Sequence, residues 1–250
     1  MIECKNITVT RNGKTILHSV SCDIPNQKFT AIIGKNGSGK TTLANCICNQ
    51  IRYTGNILID AVDISTVSSN ALSEKLAYLP QDLPVPAVTV EELVSFGRMP
   101  YLGLQKKLTA DDRKAICDAI SKTQMQPFSL RRISSLSGGE RQKAHLARIL
   151  AQETDILVLD EPTASMDAAS QLQFLMLLKE LSNNGKTVVA ILHDLSLAAA
   201  LADHIIIMDS GECVFSDSID TCLSLQKIER IFNVRRYTIQ NNSKSEIFFR

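Results

Sequence analysis

The chain has 250 residues and a formal net charge of +1 at pH 7. This length allows one large domain or a core with a sizeable insertion, since a domain commonly has roughly 100 to 200 residues. The near-neutral charge excludes a strong overall attraction to nucleic acid or anionic lipid. Partners therefore have to be inferred from local sites, and we expect no nucleic acid among them.

Seven cysteines are scattered along the sequence, and their odd number favours reduced thiols in a cytosolic setting over a disulfide framework. Cys46 and Cys48 could suggest a metal pair. Two residues apart on a helix they point to different faces, which favours buried small side chains instead. No signal-peptide pattern is visible, and no apolar run reaches the about 18 residues of a spanning helix. We expect a protein that is soluble, or peripheral on a membrane partner.

The first 25 residues alternate loosely between polar and apolar, with many β-branched side chains. Together with an Asn-Gly turn at Asn12 and Gly13, this pattern predicts antiparallel strands. Four short apolar runs predict strands buried on both faces: FTAIIG, KLAYLP, DILVLDEP and KTVVAILHD. Polar residues follow each run, and three of the four lead into a predicted helix. This order predicts an α/β fold with a mostly parallel sheet, whose ligands bind beyond the carboxyl ends of the strands.

The first of these runs leads into a glycine-rich turn that fits the phosphate-binding pattern G-x-x-x-x-G-K-[ST]. A chance glycine-rich turn is the alternative, but the strand before it and the helix after it are the context that the motif requires. Its backbone N–H groups would cradle phosphates, Lys40 would reach the β- and γ-phosphates, and the Thr41 hydroxyl would bind Mg²⁺. The predicted nucleotide-binding residues here are Gly34, Lys35, Asn36, Gly37, Ser38, Gly39, Lys40, Thr41 and Thr42.

The predicted fold is therefore a P-loop NTPase core with an antiparallel β part, over residues 1–86 and 151–225 of a single domain. Residues 87–150 are predicted to form an inserted helical subdomain, in which Thr109 and Asp112 make a capping box. Near the end of the chain we expect a hairpin turn at Ser210 and Gly211. Residues 226–250 are predicted to form a helix and a small hairpin.

Two carboxylates, Asp160 and Glu161, directly follow the apolar run ILVL. At the carboxyl end of a buried strand, Asp160 suits the coordination of Mg²⁺ and Glu161 suits the activation of the attacking water. The alternative is an acidic strand end that caps the next helix.

His193 ends the next apolar strand, where a neutral imidazole can donate to a γ-phosphate and to the attacking water. The Gln81 amide, just after AYLP, can bind Mg²⁺ or its water, although a plain loop glutamine is the alternative. His18, His145 and His204 lack such placement, which favours surface or packing roles.

A second glycine-rich turn, LSGGE, carries no lysine. Ser137 and Glu140 form an S-x-x-E capping box, which places Gly138 and Gly139 at a helix N-terminus with unpaired N–H groups. Such an end attracts an anion but cannot hold a nucleotide alone. A capped core helix would explain the serine and the glutamate, but not two glycines, which cost about 1 kcal/mol each in a helix.

These motifs, in this order and spacing, resemble the ATPase subunit of an ATP-binding-cassette (ABC) transporter over nearly the whole chain. The turn LSGG is the element most specific to that family. The stretches AVTVEELVSFGRMPYLG and RRISSLSGGERQKAHLARILAQ are similar to those of importers for iron siderophores, haem and cobalamin.

The resemblance implies a Mg²⁺-dependent ATPase that drives uptake through a membrane permease, on the cytoplasmic face of the membrane, with an extracytoplasmic substrate-binding protein as an indirect partner. It also implies a head-to-tail homodimer in which Ser137, Gly138, Gly139 and Glu140 close over the ATP held by the other chain. Ser165 and Asp167, in the D-loop stretch TASMD, are expected to cross the same interface.

One position departs from the family pattern. Most members carry an aromatic residue that stacks on adenine, and counting back from Leu17 places Arg11 there. A guanidinium plane can also stack on a base, so Arg11 is a further nucleotide-binding candidate. Two other functions stay open: the ATPase of a metal-ion importer, and a soluble ABC ATPase of cluster-assembly type.

Overall fold

The structure is a computed structural model that describes residues 1–102, 107–241 and 244–250. Over these residues the strands are β1 (Ile2–Arg11), β2 (Lys14–Ile24), β3 (Phe29–Gly34), β4 (Thr54–Ile59), β5 (Val62–Asp63), β6 (Leu76–Leu79), β7 (Ile156–Leu159), β8 (Thr187–Ile191), β9 (His204–Asp209), β10 (Glu212–Ser218), β11 (Arg236–Asn241) and β12 (Lys244–Phe249). The α-helices are α1 (Lys40–Ile47), α2 (Ser69–Lys75), α3 (Val90–Ser95), α4 (Ala110–Lys122), α5 (Gly138–Ala151), α6 (Ala168–Asn183), α7 (Leu195–Leu201), α8 (Ile219–Ser224) and α9 (Lys227–Phe232).

The chain divides into two compact units, which we describe separately. The first unit comprises Met1–Thr66 and Leu175–Arg250, and the second comprises Val67–Phe174. The second unit contains the whole predicted helical segment, together with β6 and β7. The division into a P-loop core and a helical subdomain stays a prediction.

The first unit begins with an antiparallel sheet of strand order β2-β1-β4-β5. Asn12 and Gly13, with φ angles of 50° and 75°, link β1 to β2. Two successive left-handed residues are typical of a type I′ turn, whose twist matches that of the paired strands. The predicted antiparallel hairpin is confirmed.

The same unit holds β3 between β8 and β9, and β3 is parallel to both. Every residue of β3 and of β8 is buried, as expected of parallel strands covered on both faces. Cys46 in α1 and Cys48 directly after it are both buried, as predicted. The predicted parallel arrangement of these apolar runs is confirmed.

The C-terminal part of the first unit contains two antiparallel strand pairs. Ser210 and Gly211, with φ angles of 48° and 83°, connect β9 to the antiparallel β10. Further along, α9 precedes the antiparallel pair β11 and β12. The backbone N–H of Phe249 donates to Ser196 Oγ at 3.1 Å, which holds β12 against α7.

The second unit combines the parallel pair β6 and β7 with helices α3, α4 and α5. The three helices enclose one apolar cluster: Val90, Leu93, Val94, Ile116, Ala119, Ile120, Met125, Ile133, Leu136, Ala144, Ala147 and Ala151. A capping box begins each helix, and the predicted box of Thr109 and Asp112 at α4 is confirmed. In the described part of the chain, no helix is both long enough and apolar enough to cross a lipid bilayer.

A buried arginine ties these helices together. Arg98 Nε donates to Asp112 Oδ1 at 2.7 Å, and its Nη1 donates to the Ala151 carbonyl and to Glu153 Oε2, both at 2.8 Å. The side chains of Arg98 and Asp112 are only 7% and 6% exposed. One guanidinium therefore connects the first turn of α4 with the end of α5.

Candidate functional site

The first group of candidate residues, in the first unit, is the turn between β3 and α1. The strand ends at Gly34, and α1 begins at Lys40, with Gly39 as its N-cap at a φ of 98°. A Cβ atom on Gly39 would lie 2.6 Å from Leu17 Cδ2, too close for a real side chain. The left-handed backbone and this close approach both require glycine here. The turn is thereby drawn tightly around the N-terminus of an eight-residue helix.

Hydrogen bonds from the β9–β10 hairpin fix this turn. The Gly211 N–H donates to the Ser38 carbonyl at 3.1 Å, and the Gly211 carbonyl accepts from the His18 N–H at 2.8 Å. The turn is thus attached both to β2 and to the hairpin, which gives it a defined shape before any ligand binds.

The polar groups of the turn fit a phosphate chain. Lys40 is 5% exposed, and its Nζ donates to the Gly34 and Lys35 carbonyls at 2.9 and 3.0 Å, so the ammonium lies over the turn. The Ser38 hydroxyl is buried and has no hydrogen-bond partner among the described residues. A buried hydroxyl without a partner is costly, and a phosphate oxygen would satisfy it.

The rest of the predicted turn is more open. Lys35, Asn36 and Gly37 are exposed, while Thr41 and Thr42 are half-buried in the first turn of α1. Asn45 Nδ2 donates to the Thr41 carbonyl at 2.8 Å, which supports that first turn.

His193 lies at the same edge of the sheet as this turn. Ile32 of β3 is paired with Ile191 of the parallel β8, so the register places His193 level with Gly34. The next residue, Asp194, accepts from the Ser196 and Leu197 N–H groups at 2.8 and 2.9 Å and caps α7.

A second group of candidate residues, in the second unit, follows β6 and β7. Leu79 and Leu159 are register partners in this parallel pair, and Gln81 and Glu161 each come two residues later. Gln81 Nε2 donates to Glu161 Oε2 at 2.8 Å. Glu161 itself has a φ of 47°, a left-handed conformation that is strained for a glutamate and typical of functional sites.

Asp160 is completely buried at the end of β7, and its N–H donates to the Leu79 carbonyl at 2.8 Å. The candidate metal ligands in this unit are a carboxylate oxygen of Asp160 and the amide oxygen of Gln81. These are the hard oxygen ligands that Mg²⁺ prefers. The donor set fits the predicted ion.

The LSGGE turn starts α5 as predicted. The Glu140 N–H donates to Ser137 Oγ at 3.3 Å, and Glu140 Oε2 accepts from the Ser137 N–H at 2.7 Å. These hydrogen bonds, the backbone one first, lower the pKa of Glu140. The box leaves the first N–H groups of α5, at Gly138 and Gly139, without intrahelical partners.

The two glycines pack against the TASMD stretch of the same unit. A Cβ atom on Gly138 would lie 3.2 Å from the Ser165 backbone oxygen, and one on Gly139 would lie 3.6 Å from Met166 Cγ. Asp167 caps α6 by accepting from the Ser170 N–H at 2.9 Å, which lowers the pKa of Asp167. Tight packing therefore gives a local reason for Gly138 that the sequence alone did not reveal, while Gly139 has more room.

Arg11 is exposed at the end of β1, where its register partner across the turn is Lys14. His145, by contrast, is 1% exposed, and its Nε2 lies 3.0 Å from the Pro84 carbonyl oxygen. The sequence predicted a surface or packing role for His145 and gave no signal for this contact, since the two residues are 61 positions apart.

The sequence profile of the ABC transporter family matches residues 17–164. The ferric enterobactin transport ATP-binding protein FepC of Escherichia coli (strain K12) is 34% identical over 234 residues, which cover 92% of this chain and 86% of FepC. The hemin import ATP-binding protein HmuV of Rhodococcus jostii (strain RHA1) is 33% identical over 233 residues, covering 92% of this chain and 79% of HmuV.

Among solved structures, the dimeric bacterial ABC transporter cassette MJ0796 superposes with a TM-score of 0.77 at 27% identity. The match covers 88% of this chain and 99% of that cassette. Together with the geometry of the two glycine-rich turns and of the residues after β7, these similarities show that the chain belongs to the ABC transporter family.

Proposed function

We propose that this chain is the ATP-hydrolysing subunit of an importer for an iron chelate (siderophore), haem or cobalamin. The observation that carries the proposal is the similarity to ferric enterobactin and hemin import ATP-binding proteins, which extends over 92% of the chain in both cases. Iron-containing cargoes are common to the names of these two relatives.

The turn between β3 and α1 binds the nucleotide. The backbone N–H groups at the start of α1 and the Ser38 hydroxyl donate to phosphate oxygens. Lys40, whose ammonium already lies over the turn, moves its donors from the Gly34 and Lys35 carbonyls to the β- and γ-phosphates. Arg11 stacks on the base.

Hydrolysis is an in-line attack of water on the γ-phosphorus. Glu161 accepts the proton of that water, and Gln81, bonded to Glu161 Oε2, holds the carboxylate in place. His193 donates to the γ-phosphate from the edge of β8. Thr41, Asp160 and Gln81 would hold Mg²⁺, which would supply positive charge against the charge that develops on the phosphoryl oxygens.

The LSGGE turn serves the nucleotide of a second copy of the chain. Ser137, Gly138, Gly139 and Glu140 begin a helix of 14 residues, whose N-terminus favours an anion. Ser165, which packs on Gly138, and Asp167 lie at the same interface. The similar cassette MJ0796 is a dimer, which supports this arrangement.

The partners follow from the importer assignment. The dimer binds an integral membrane permease at the cytoplasmic face of the membrane, and an extracytoplasmic substrate-binding protein delivers the cargo to that permease. The ATPase subunit itself remains a peripheral protein.

An uptake assay tests the proposal. The gene is deleted in its own organism, and cellular uptake of a labelled ferric siderophore, haem and cobalamin is measured in parallel. We expect one of the three to fall to background. Wild-type chain should restore it, and so should the control Glu180→Gln, which alters an exposed carboxylate on α6. Glu161→Gln should not, because removing the base slows hydrolysis by several orders of magnitude.

Two results would count against this account. Unchanged uptake of all three compounds after deletion would contradict the cargo class. Full restoration by Glu161→Gln would remove Glu161 from its role and leave the cargo class intact.

A further inference from the structure

A buried histidine in the middle of α5 contacts a distant part of the second unit. His145 Nε2 lies 3.0 Å from the carbonyl oxygen of Pro84. Pro84 belongs to the irregular segment of residues 80–87, which directly follows β6 and which we call the connecting segment; Val88 and Thr89 lie between it and α3. The contact therefore joins the helix that begins with LSGGE to the segment that carries Gln81.

The ring is neutral, and the position of its proton follows from its partner. A carbonyl oxygen only accepts, so Nε2 must carry the hydrogen. Burial, and then the positive charges of Arg148 and Arg141, lower the pKa of His145 to about 4. His145 is thus an uncharged donor at physiological pH, with Nδ1 as a buried acceptor that has no partner among the described residues.

The connecting segment has few other attachments. In the chain as described, two hydrogen bonds hold residues 80–87: the one from His145 to Pro84, and the one from Gln81 to Glu161. The segment starts from a fixed point, because the Leu79 carbonyl accepts from the Asp160 N–H at 2.8 Å. His145 therefore supplies the second backbone anchor, three residues beyond Gln81.

Packing alone does not account for a histidine at this position. Its neighbours in α5, Ala144, Leu146 and Ala147, are all buried and apolar. A buried ring nitrogen without a partner costs free energy, and an apolar side chain of similar size would avoid that cost. The Pro84 carbonyl, on an exposed residue, could turn to water instead.

We propose that His145 is a positioning residue for ATP hydrolysis. Its Nε2–H holds the connecting segment so that the Gln81 amide stays on Glu161. The same hydrogen bond links the position of α5, and so of the turn at Gly138 and Gly139, to the orientation of the catalytic carboxylate. This inference rests on the proposed function, because it takes Glu161 to be the base.

Two substitutions test it in the full-length chain. His145→Leu keeps an apolar volume but removes the donor, and His145→Gln restores a donor at nearly the position of Nε2. We expect kcat for ATP to fall about 10- to 100-fold in the leucine variant, the loss typical of a misplaced catalytic group. The leucine variant should show neither a higher KM for ATP nor a lower thermal unfolding temperature. The glutamine variant should recover most of the wild-type kcat.

A double-mutant cycle with Gln81→Ala identifies the route. If His145 acts through Gln81, adding His145→Leu to Gln81→Ala should produce little further loss of kcat. Additive losses, or a leucine variant as active as wild type, would overturn the inference. The inference would also be overturned if the leucine variant lost activity only in proportion to its loss of folded protein and the glutamine variant showed the same defect.

The test also separates this inference from the proposed function. A wild-type chain without ATP turnover would overturn both. If Glu161→Gln abolishes ATP turnover and His145→Leu leaves it unchanged, only the role of His145 is overturned.

Discussion

Arg11 lies where the resemblance to the family leads us to expect a residue that stacks on adenine. It lies two residues beyond Val9, whose register partner Leu17 packs beside Gly39 of the phosphate-binding turn. A guanidinium can stack on a base through its planar face.

Substitution of Arg11 tests this contact. Arg11→Ala should weaken ATP binding about two- to fivefold, which corresponds to a stacking contact of roughly 0.5–1 kcal/mol. Arg11→Tyr should preserve or improve the affinity, because an aromatic ring stacks equally well. The dissociation constant is measured by titration with a fluorescent ATP analogue, with Lys14→Ala as the control on the opposite strand. Equal affinities in all variants would mean that Arg11 is ordinary surface.

Among the elements, α4 and α5 depend on the ion pair of Arg98 and Asp112. Hydrogen bonds from Thr109, and then from Arg98, lower the pKa of Asp112 to about 2. A folded-state pKa below the unfolded value, about 3.9, means that the ionised carboxylate stabilises the folded state above about pH 4. That stabilisation is lost as the pH falls through about 2.

We predict that Arg98→Met lowers the free energy of unfolding by about 3 kcal/mol or more at pH 7, because it leaves a buried carboxylate without its cation. Arg113→Met, on the exposed face of α4, is the matched control and should change stability by less than about 0.5 kcal/mol. The difference between the two variants should shrink from pH 4 towards pH 2, where Asp112 becomes neutral. The free energies of unfolding are measured by urea unfolding followed by circular dichroism. Equal stabilities of Arg98→Met and Arg113→Met at pH 7 would contradict the prediction.

The elements also show what the sequence could and could not predict. The buried strands, the I′ turn at Asn12 and the capping boxes at Thr109 and Ser137 follow from local patterns, and the structure confirms them. The contacts of Gln81 with Glu161 and of His145 with Pro84 join residues 80 and 61 positions apart. Their geometry depends on strand register and helix packing, which local patterns do not encode.

Taking both glycine-rich turns together, we infer that one chain alone cannot complete an ATP site. The turn before α1 has the lysine and the buried Ser38 hydroxyl, whereas the turn before α5 has only a helix N-terminus and a capping box. In a dimer, each complete turn would meet an incomplete one from the partner. This arrangement explains why the sequence contains two glycine-rich turns of unequal chemistry.

The most direct test of this claim is to mix two defective chains, both carrying Glu161→Gln so that bound ATP stays trapped. One also carries Lys40→Ala, which breaks the first turn, and the other Ser137→Arg, which blocks the second. Each variant alone should trap little ATP, because both sites of its homodimer contain the defect. The heterodimer has one site with both turns intact, so trapping should return to about one ATP per heterodimer.

The matched control mixes the Lys40→Ala chain with a chain that carries both Lys40→Ala and Ser137→Arg, which leaves no intact first turn. It should trap no ATP beyond the level of the parents. Trapped nucleotide is counted after rapid removal of free ATP from heterodimers verified by two affinity tags. We predict trapping in the first mixture and none in the second. If verified heterodimers of the first mixture trap no more ATP than their parents, the second turn does not complete the partner's site.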